Sequence, residues 1–157
     1  MKLLDFILPD ALIPELKSTV RDEVIAELVD AAVEAKGVPK TLRDTLVKEI
    51  IGREKHGSTG FGKGVAVPHV KHEKIKKMVA AIGVSQKGVD FNALDKEPVF
   101  SVVLLLSPVD QPDQHLQAME NIFSNLQKDN FRRFLRQSDT VEAIKDLLLE
   151  ADNQQLA

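Results

Sequence analysis

The chain contains no cysteine. That absence excludes disulfide bonds, thiolate metal sites and thiol nucleophiles, so any step that needs a cysteine would take place on a partner protein. No apolar run approaches the roughly 18 residues that a membrane-spanning helix requires, and the N-terminus lacks the basic-then-apolar layout of a signal peptide. These absences predict a cytoplasmic protein that does not insert directly into a membrane.

An excess of basic residues is also missing. The chain has 21 Lys and Arg against 24 Asp and Glu, a formal net charge of −3, whereas nucleic-acid-binding proteins are normally basic, so no nucleic-acid partner is expected. There is no internal repeat and no low-complexity segment. A length of 157 residues with 43% hydrophobic and 29% charged residues predicts one globular domain over residues 1–157. The polar tail after about residue 150 is expected to fray.

Two continuous apolar runs of strand length, at 78–84 and 99–106, are typical of strands that are covered on both faces. Gly88 is predicted to end the first of them, with a short strand or bulge at 89–91. The proline-interrupted lead-in at 3–16 favours an edge strand or an irregular segment over a helix.

Apolar residues at helical spacing predict helices around these strands. Thr19 and Asp22 approximate a capping box at the start of the first helix, and Asp113 is a candidate cap for a later one. Helices before, between and after buried strands predict an α/β layered domain with helices on both faces of the sheet. The predicted helical segments are 19–37, 41–53, 113–126, 131–135 and 141–148.

A glycine-rich stretch joins Arg53 to His69 and reads R-E-K-H-G-S-T-G-F-G-K-G-V-A-V-P-H. Glycine can take positive φ angles, and Pro68 fixes the backbone directly before the imidazole. The stretch is therefore predicted to be a loop that presents His69. A plainer alternative is a glycine-rich connection followed by a short apolar strand at 65–67. The glycine and hydroxyl residues of this loop are Gly57, Ser58, Thr59, Gly60, Gly62 and Gly64.

Part of the loop matches the nucleotide-binding pattern G-x-x-x-x-G-K-[ST] through Gly57, Gly62 and Lys63. Gly64 then stands where the mechanism needs a hydroxyl residue to bind magnesium. A helix also leads in and a strand leads out, which reverses the order that this pattern requires. The loop is therefore not predicted to bind ATP.

The run S-T-G-F-G-K-G-V-A-V-P-H resembles the phosphorylation-site signature of the type-2 enzyme IIA domains of the bacterial phosphoenolpyruvate-dependent sugar phosphotransferase system. This is the fructose, mannitol and nitrogen-regulatory class. The resemblance implies that His69 carries a phosphoryl group. Two remote residues agree, because the family has an Arg sixteen residues before that His and a second His forty-six residues after it, and Arg53 and His115 stand there.

The resemblance covers about residues 3–149 and implies a mixed sheet of about five strands. Because phosphoryl transfer depends on countering charge at the equatorial oxygens, Arg53 and His115 are expected to stabilise the phosphoryl group, and the loop amides or the hydroxyls of Ser58 and Thr59 to add hydrogen bonds. One departure is Val70, where the family usually has a smaller residue. Its bulk is expected to lie beside the imidazole.

The function implied is that of a histidine phosphocarrier without a cofactor. Its donor would be a phosphohistidine carrier protein, and its acceptor a regulatory target or a cysteine on a sugar-specific IIB subunit. A stand-alone chain favours the nitrogen-regulatory branch, and sugar transport is the alternative. A binding module that is not phosphorylated, or a metal site made by His56, His69, His72 and His115, fits less well, since no Cys or carboxylate motif supports the metal site.

The residues themselves leave plainer interpretations open. Arg53 is placed at a helix C-terminus on the edge of the buried stripe, where a cation can merely complement the helix dipole. His115 falls in the first turn of a helix, where it either helps to bind an anion or faces solvent. The basic segment 71–77 is expected to be a solvated turn. A neutral imidazole with a pKa of about 6.5 keeps a free lone pair near pH 7 and can attack phosphorus without a separate base.

Overall fold

The computed structural model of the protein describes residues 1–154. Two 3₁₀ turns, Leu3–Asp5 and Lys40–Leu42, precede β1 and α2 respectively. The main elements, in chain order, are β1 (Ile7–Ile13), α1 (Arg21–Glu34), α2 (Arg43–His56), β2 (Val65–Ala66), β3 (His69–His72), β4 (Val79–Val89), β5 (Val99–Pro108), α3 (Pro112–Leu126), α4 (Asp129–Gln137) and α5 (Val141–Asp152).

The five strands form one mixed sheet, as predicted. β4 and β5 pair antiparallel at its centre, and β1 lies parallel to β4 at one edge. The short strands β2 and β3 follow one another along the opposite side of β5, and both are parallel to it. The prediction of an edge strand near the N-terminus is confirmed.

Helices cover both faces of this sheet, which confirms the predicted α/β layers. Leu104 and Leu106 of β5 belong to the core under α1 and α2, whereas Val103 and Leu105 belong to the core under α3, α4 and α5. Both pairs are almost completely buried. Because successive side chains of a strand point to opposite faces, the odd-numbered residues of β5 from Ser101 to Ser107 face the α3 side, and the even-numbered ones from Val102 to Leu106 face α1 and α2.

The start of the first helix differs from the prediction. α1 begins at Arg21 after Val20, and no side chain caps it, so the predicted capping box of Thr19 and Asp22 is wrong. The backbone of Thr19 is instead used in pairing, because its carbonyl accepts a hydrogen bond from the Asp90 amide at 2.8 Å. This stretch of chain is therefore tied to the sheet rather than to the helix.

The predicted end of the fourth strand at Gly88 is also wrong, since β4 continues to Val89. Gly88 has a φ of 91°, and its amide donates to Ser85 Oγ at 3.0 Å. The register with β5 shifts between Val84 and Val89. This bulge lies ahead of residues 89–91, for which a short strand or bulge was predicted, and it lets the strand continue.

The C-terminal helix packs against the first residues of the chain. The carboxylate of Asp152 accepts hydrogen bonds from the amides of Leu3 at 2.6 Å and Leu4 at 3.0 Å. The tail that was expected to fray after about residue 150 thus begins inside α5, and residues 155–157 lie outside the described residues. Within residues 1–154, no helix is long and apolar enough to cross a membrane.

Candidate active site

His69 is placed by the pairing of β3 with β5. The two strands are parallel, with His69 opposite Leu105 and Lys71 opposite Ser107. Paired residues of neighbouring parallel strands point to the same face of the sheet, so the side chains of His69 and Lys71 project towards α3. The ring of His69 is half-buried there.

The tautomer of His69 follows from one contact. Its Nδ1 atom lies 2.9 Å from the carbonyl oxygen of Val67. A carbonyl oxygen can only accept, so Nδ1 must carry the proton, and Nε2 of the neutral ring keeps a lone pair. Nε2 is therefore the nucleophilic atom of His69.

His115 comes to the same place from α3. It lies in the first turn of that helix, as predicted, and its ring centroid is 5.7 Å from that of His69. The solvent-facing interpretation is wrong, because His115 is only 8% exposed. Asp113 is not the cap, since Gln111 precedes the helix and Asp113 is exposed within its first turn. The fold thus brings together two histidines that are remote in sequence.

The surroundings of His115 hold its ring neutral at pH 7. Burial, followed by the charges of Lys71 and His69, lowers the pKa of His115 to about 4. Its Nδ1 atom lies 2.7 Å from the hydroxyl oxygen of the fully buried Ser107 on β5. Ser107 was not predicted, and its odd-numbered position on β5 explains why it faces α3.

The glycine-rich loop takes the conformation that its composition favours. Gly62, Lys63 and Gly64 have φ angles of 113°, 62° and 75° in succession. A Cβ atom on Gly64 would lie 3.1 Å from the ring of Phe100, whose amide donates to the Gly64 carbonyl at 2.8 Å. The loop is therefore anchored to the start of β5 before it reaches His69.

The hydroxyl residues of the loop make contacts within its first half. Ser58 Oγ accepts from the amide of Gly60 at 2.9 Å. The amide of Thr59 donates to Oε1 of Glu54 at 3.0 Å, and Thr59 Oγ1 and Glu54 Oε2 are buried without a hydrogen-bond partner among residues 1–154. Contacts of Ser58 and Thr59 with a phosphoryl group remain a prediction.

Glu54 is a loop-supporting residue that the sequence reading missed. It is only 3% exposed, and it follows Leu46 and Ile50 at intervals of four residues. Neighbours at this spacing share one face of a helix, which could have identified it. The carboxylate therefore supports the loop from the buried face of α2.

Replacement of Glu54 by Ala should lower the free energy of unfolding by about 1–2 kcal/mol, because the partly buried Thr59 amide loses its acceptor. Lys55→Ala is the matched control, since Lys55 is the exposed next residue of the same helix, and it should change stability by less than about 0.5 kcal/mol. Denaturant unfolding of both variants measures the difference. Equal stabilities would contradict a supporting role for Glu54.

Arg53 lies in the last turn of α2, as predicted, but the side chain is exposed. The expectation that it continues the edge of the buried stripe is wrong, because the stripe passes through Glu54. One guanidinium nitrogen donates to the carbonyl of Gly57 at 2.7 Å. Within the described residues this is its one side-chain hydrogen bond, so Arg53 reaches the mouth of the loop without a hydrogen bond to either imidazole.

The other two histidines lie elsewhere. His72 is on the face of β3 opposite to His69, where its Nε2 is 4.0 Å from Glu49 Oε1, and His56 is exposed at the end of α2. No group of three His, Cys, Asp or Glu in the described part of the chain could hold a metal ion. The four histidines therefore do not form one cluster.

Two residues beside His69 lie in positions that differ from the predictions. Lys71 was expected in a solvated turn but lies in β3, on the face of His69 and close enough to His115 to lower its pKa. Val70 pairs with Leu106 and packs against the core under α1 and α2. Its bulk thus lies on the face away from His69, and the expectation that it crowds the imidazole is wrong.

Comparisons with known proteins find similarity over most of the chain. The family described as "Phosphoenolpyruvate-dependent sugar phosphotransferase system, EIIA 2" matches residues 6–151. A relative named nitrogen regulatory protein, from Pseudomonas aeruginosa, is 34% identical over 133 residues, which are 85% of this chain and 83% of the relative.

Two solved structures have the same fold. Nitrogen regulatory protein IIA-Ntr from Neisseria meningitidis gives a TM-score of 0.82 at 23% identity, over 92% of this chain and 97% of that chain. A complex of enzyme IIAMTL with phosphorylated enzyme IIBMTL from Escherichia coli gives 0.75 at 18% identity, over 89% and 94%. At these identities the likeness concerns the fold alone.

Proposed function

Since the chain belongs to the type-2 enzyme IIA family of the phosphoenolpyruvate-dependent sugar phosphotransferase system, we propose that it carries a phosphoryl group on Nε2 of His69. The observation that carries this proposal is the contact between Nδ1 of His69 and the Val67 carbonyl, beside the ring of His115. It leaves one nitrogen with a lone pair in a half-buried position that a partner protein can reach.

The transfer is a substitution at phosphorus. The lone pair of His69 Nε2 forms the new P–N bond while the P–N bond of a donor phosphohistidine breaks, and the donor imidazole leaves with the electron pair. The Nδ1 proton of His69 stays hydrogen-bonded to Val67 and helps to spread the positive charge that develops on the ring. No general base is needed, since the attacking nitrogen carries no proton.

The surrounding residues counter charge on the phosphoryl oxygens, which is the main requirement of this reaction. His115 is neutral at pH 7, because its pKa is lowered to about 4, so it acts as a hydrogen-bond donor rather than as a cation. Lys71 adds a positive charge on the same face, and Arg53 offers a forked guanidinium at the mouth of the loop. The chemistry calls for no cofactor.

The partners follow from the family. We propose a phosphohistidine carrier protein as donor, and a role of the nitrogen-regulatory type in which the phosphorylation state decides which cytoplasmic proteins this chain binds. The 34% identity to a nitrogen regulatory protein favours this branch. The alternative is sugar transport, in which the phosphoryl group passes to a cysteine. This chain has no cysteine, so the acceptor cysteine would belong to a IIB subunit.

Incubation with phosphoenolpyruvate and the two general proteins of the phosphotransferase system tests the proposal. The intact mass should rise by that of one phosphoryl group. A protein that stays unmodified while a known enzyme IIA in the same mixture is phosphorylated would contradict the carrier function. Adding a IIB subunit then separates the two branches, since only a transport protein should pass the group on to its cysteine.

Arg53→Lys should slow phosphoryl transfer, and Arg53→Ala should slow it more, with the fold intact in both. A guanidinium can bind two phosphoryl oxygens at once, whereas an ammonium offers a point charge, so keeping the charge rescues part of the rate. Transfer rates and thermal melts of both variants are the measurements. The exposed Lys55→Gln controls for the loss of one positive charge in the same helical turn.

If Arg53 only complements the helix dipole, the pattern differs. Lys would then be silent in both assays, and Ala would cost about 0.3 to 1 kcal/mol of stability without any change in transfer. That result would remove Arg53 from the site and leave it as the residue that holds Gly57 at the helix end.

A further inference from the structure

Ser107 stands directly behind the second histidine of the site. It is fully buried on β5, where its odd-numbered position turns the side chain towards α3, and its Oγ atom is 2.7 Å from Nδ1 of His115. Within residues 1–154 this hydroxyl has no other hydrogen-bond partner. The hydroxyl of Ser107 is therefore paired with Nδ1 of His115 alone among these residues.

The direction of this hydrogen bond can be decided from the groups present. If Nδ1 donated, the hydroxyl proton of Ser107 would have no acceptor, and a buried donor without a partner is costly. If the hydroxyl donates, its proton is used and the nitrogen lone pair is used as well. Only unused lone pairs of Oγ remain, which cost less than an unpaired proton. The arrangement thus favours Ser107 as donor and Nδ1 as acceptor.

We propose that Ser107 is a positioning residue, which donates to Nδ1 of His115 and thereby holds the proton of that neutral ring on Nε2. Nε2 makes no hydrogen bond within the described residues and is not sealed from solvent. It is therefore the one ring nitrogen of His115 that a phosphoryl oxygen can approach.

This assignment deepens the proposed transfer through His69 and rests on it. An N–H at Nε2 attracts a phosphoryl oxygen, whereas the opposite tautomer would present a lone pair to the anion and repel it. The two histidines then play complementary roles, set by their Nδ1 partners. A carbonyl acceptor makes His69 a nucleophile at Nε2, and a hydroxyl donor makes His115 a hydrogen-bond donor at Nε2.

Nitrogen NMR of the unphosphorylated ¹⁵N-labelled protein tests the assignment without any transfer reaction. Two-bond proton–nitrogen correlations at pH 7 should place the proton of His115 on Nε2 and that of His69 on Nδ1. A His115 proton found on Nδ1 would overturn the proposal even if the protein proves to be a phosphocarrier. Conversely, a wild-type protein that accepts no phosphoryl group would refute the proposed function and leave the tautomer assignment readable.

Three variants connect the tautomer with transfer. Ser107→Ala should give a mixture of His115 tautomers and slow transfer by roughly 3- to 10-fold, the size of one neutral hydrogen bond. Ser107→Thr keeps the hydroxyl and should restore both the single tautomer and most of the rate. Ser101→Ala is the matched control, because Ser101 is a buried serine on the same face of β5, six residues away.

The outcomes separate a positioning role from plain packing. A tautomer mixture and slow transfer in Ser107→Ala, with normal behaviour of Ser107→Thr and Ser101→Ala, supports the proposal. An unchanged Nε2 proton in Ser107→Ala, or an unchanged transfer rate, overturns it. Should Ser107→Ala fail to fold, the tautomer of the wild-type protein still decides.

Discussion

His69→Ala should accept no phosphoryl group at all, whereas the wild-type protein accepts one. The variant removes the nitrogen that forms the P–N bond, and no other histidine lies in the same place with a carbonyl-fixed tautomer. His115 cannot substitute, because its Nδ1 is engaged with Ser107 and the ring is largely buried. Intact mass after incubation with phosphoenolpyruvate and the two general proteins measures the result.

His72→Ala is the matched control for this experiment. His72 lies three residues further along β3 and on its opposite face, so its replacement should leave phosphorylation intact. The modification of the wild-type protein should disappear in hot acid, because a P–N bond hydrolyses there while a serine phosphate survives. A phosphorylated His69→Ala protein, or an acid-stable modification of the wild type, would contradict the assignment of His69.

The alternation of side chains along a strand explains how β3 and β5 orient the residues of the site. His69 and Lys71 in β3 and Ser107 in β5 face α3, whereas Val70 and His72 face α1 and α2. Once the pairing of β3 with β5 is known, these orientations follow from the two-residue period of a strand. The pairing itself depends on contacts across the fold, so the sequence pattern of a four-residue strand could not supply it.

The layers of the fold were predictable because their patterns are long. The runs 78–84 and 99–106 are apolar without interruption, and strands with such runs need cover on both faces. The ends of elements were less predictable. Thr19 has the chemistry of a helix cap, yet its backbone pairs with Asp90, and Gly88 forms a bulge rather than a strand end. Tertiary pairing overrode the local signal in both places.

The residues of the candidate site also fall into those that the sequence could predict and those that it could not. His69, His115 and Arg53 could be proposed because the loop composition and the spacing of a known family single them out, and the fold brings the two histidines together. Glu54 could have been noticed from its spacing with Leu46 and Ile50, but not its contact with the loop, and Ser107 could not be proposed, since a serine in a strand is an ordinary residue. Their importance arises from burial and from the one group that each contacts, which only the folded chain defines.

His115→Asn should slow phosphoryl transfer by about 10²- to 10³-fold, the range found when one preorganised transition-state donor is removed. Alanine would be a poor probe, because His115 is buried and Ser107 would lose its acceptor. The Oδ1 atom of Asn can take the place of Nδ1 and accept from Ser107, while the side chain is too short to reach the position of Nε2. The free energy of unfolding should therefore change by no more than about 1 kcal/mol.

His115→Gln is the informative partner of this variant. Its longer side chain can bring an amide N–H to the position of Nε2, so it should recover part of the transfer rate that Asn loses. Single-turnover transfer from the phosphorylated carrier protein measures both rates, and denaturant unfolding checks both folds. Since burial already keeps His115 neutral at pH 7, a neutral amide replaces the donor without changing the charge of the site. If Asn and Gln both transfer at the wild-type rate, His115 does not stabilise the phosphoryl group, and its contact with Ser107 serves only the packing of α3 against the sheet.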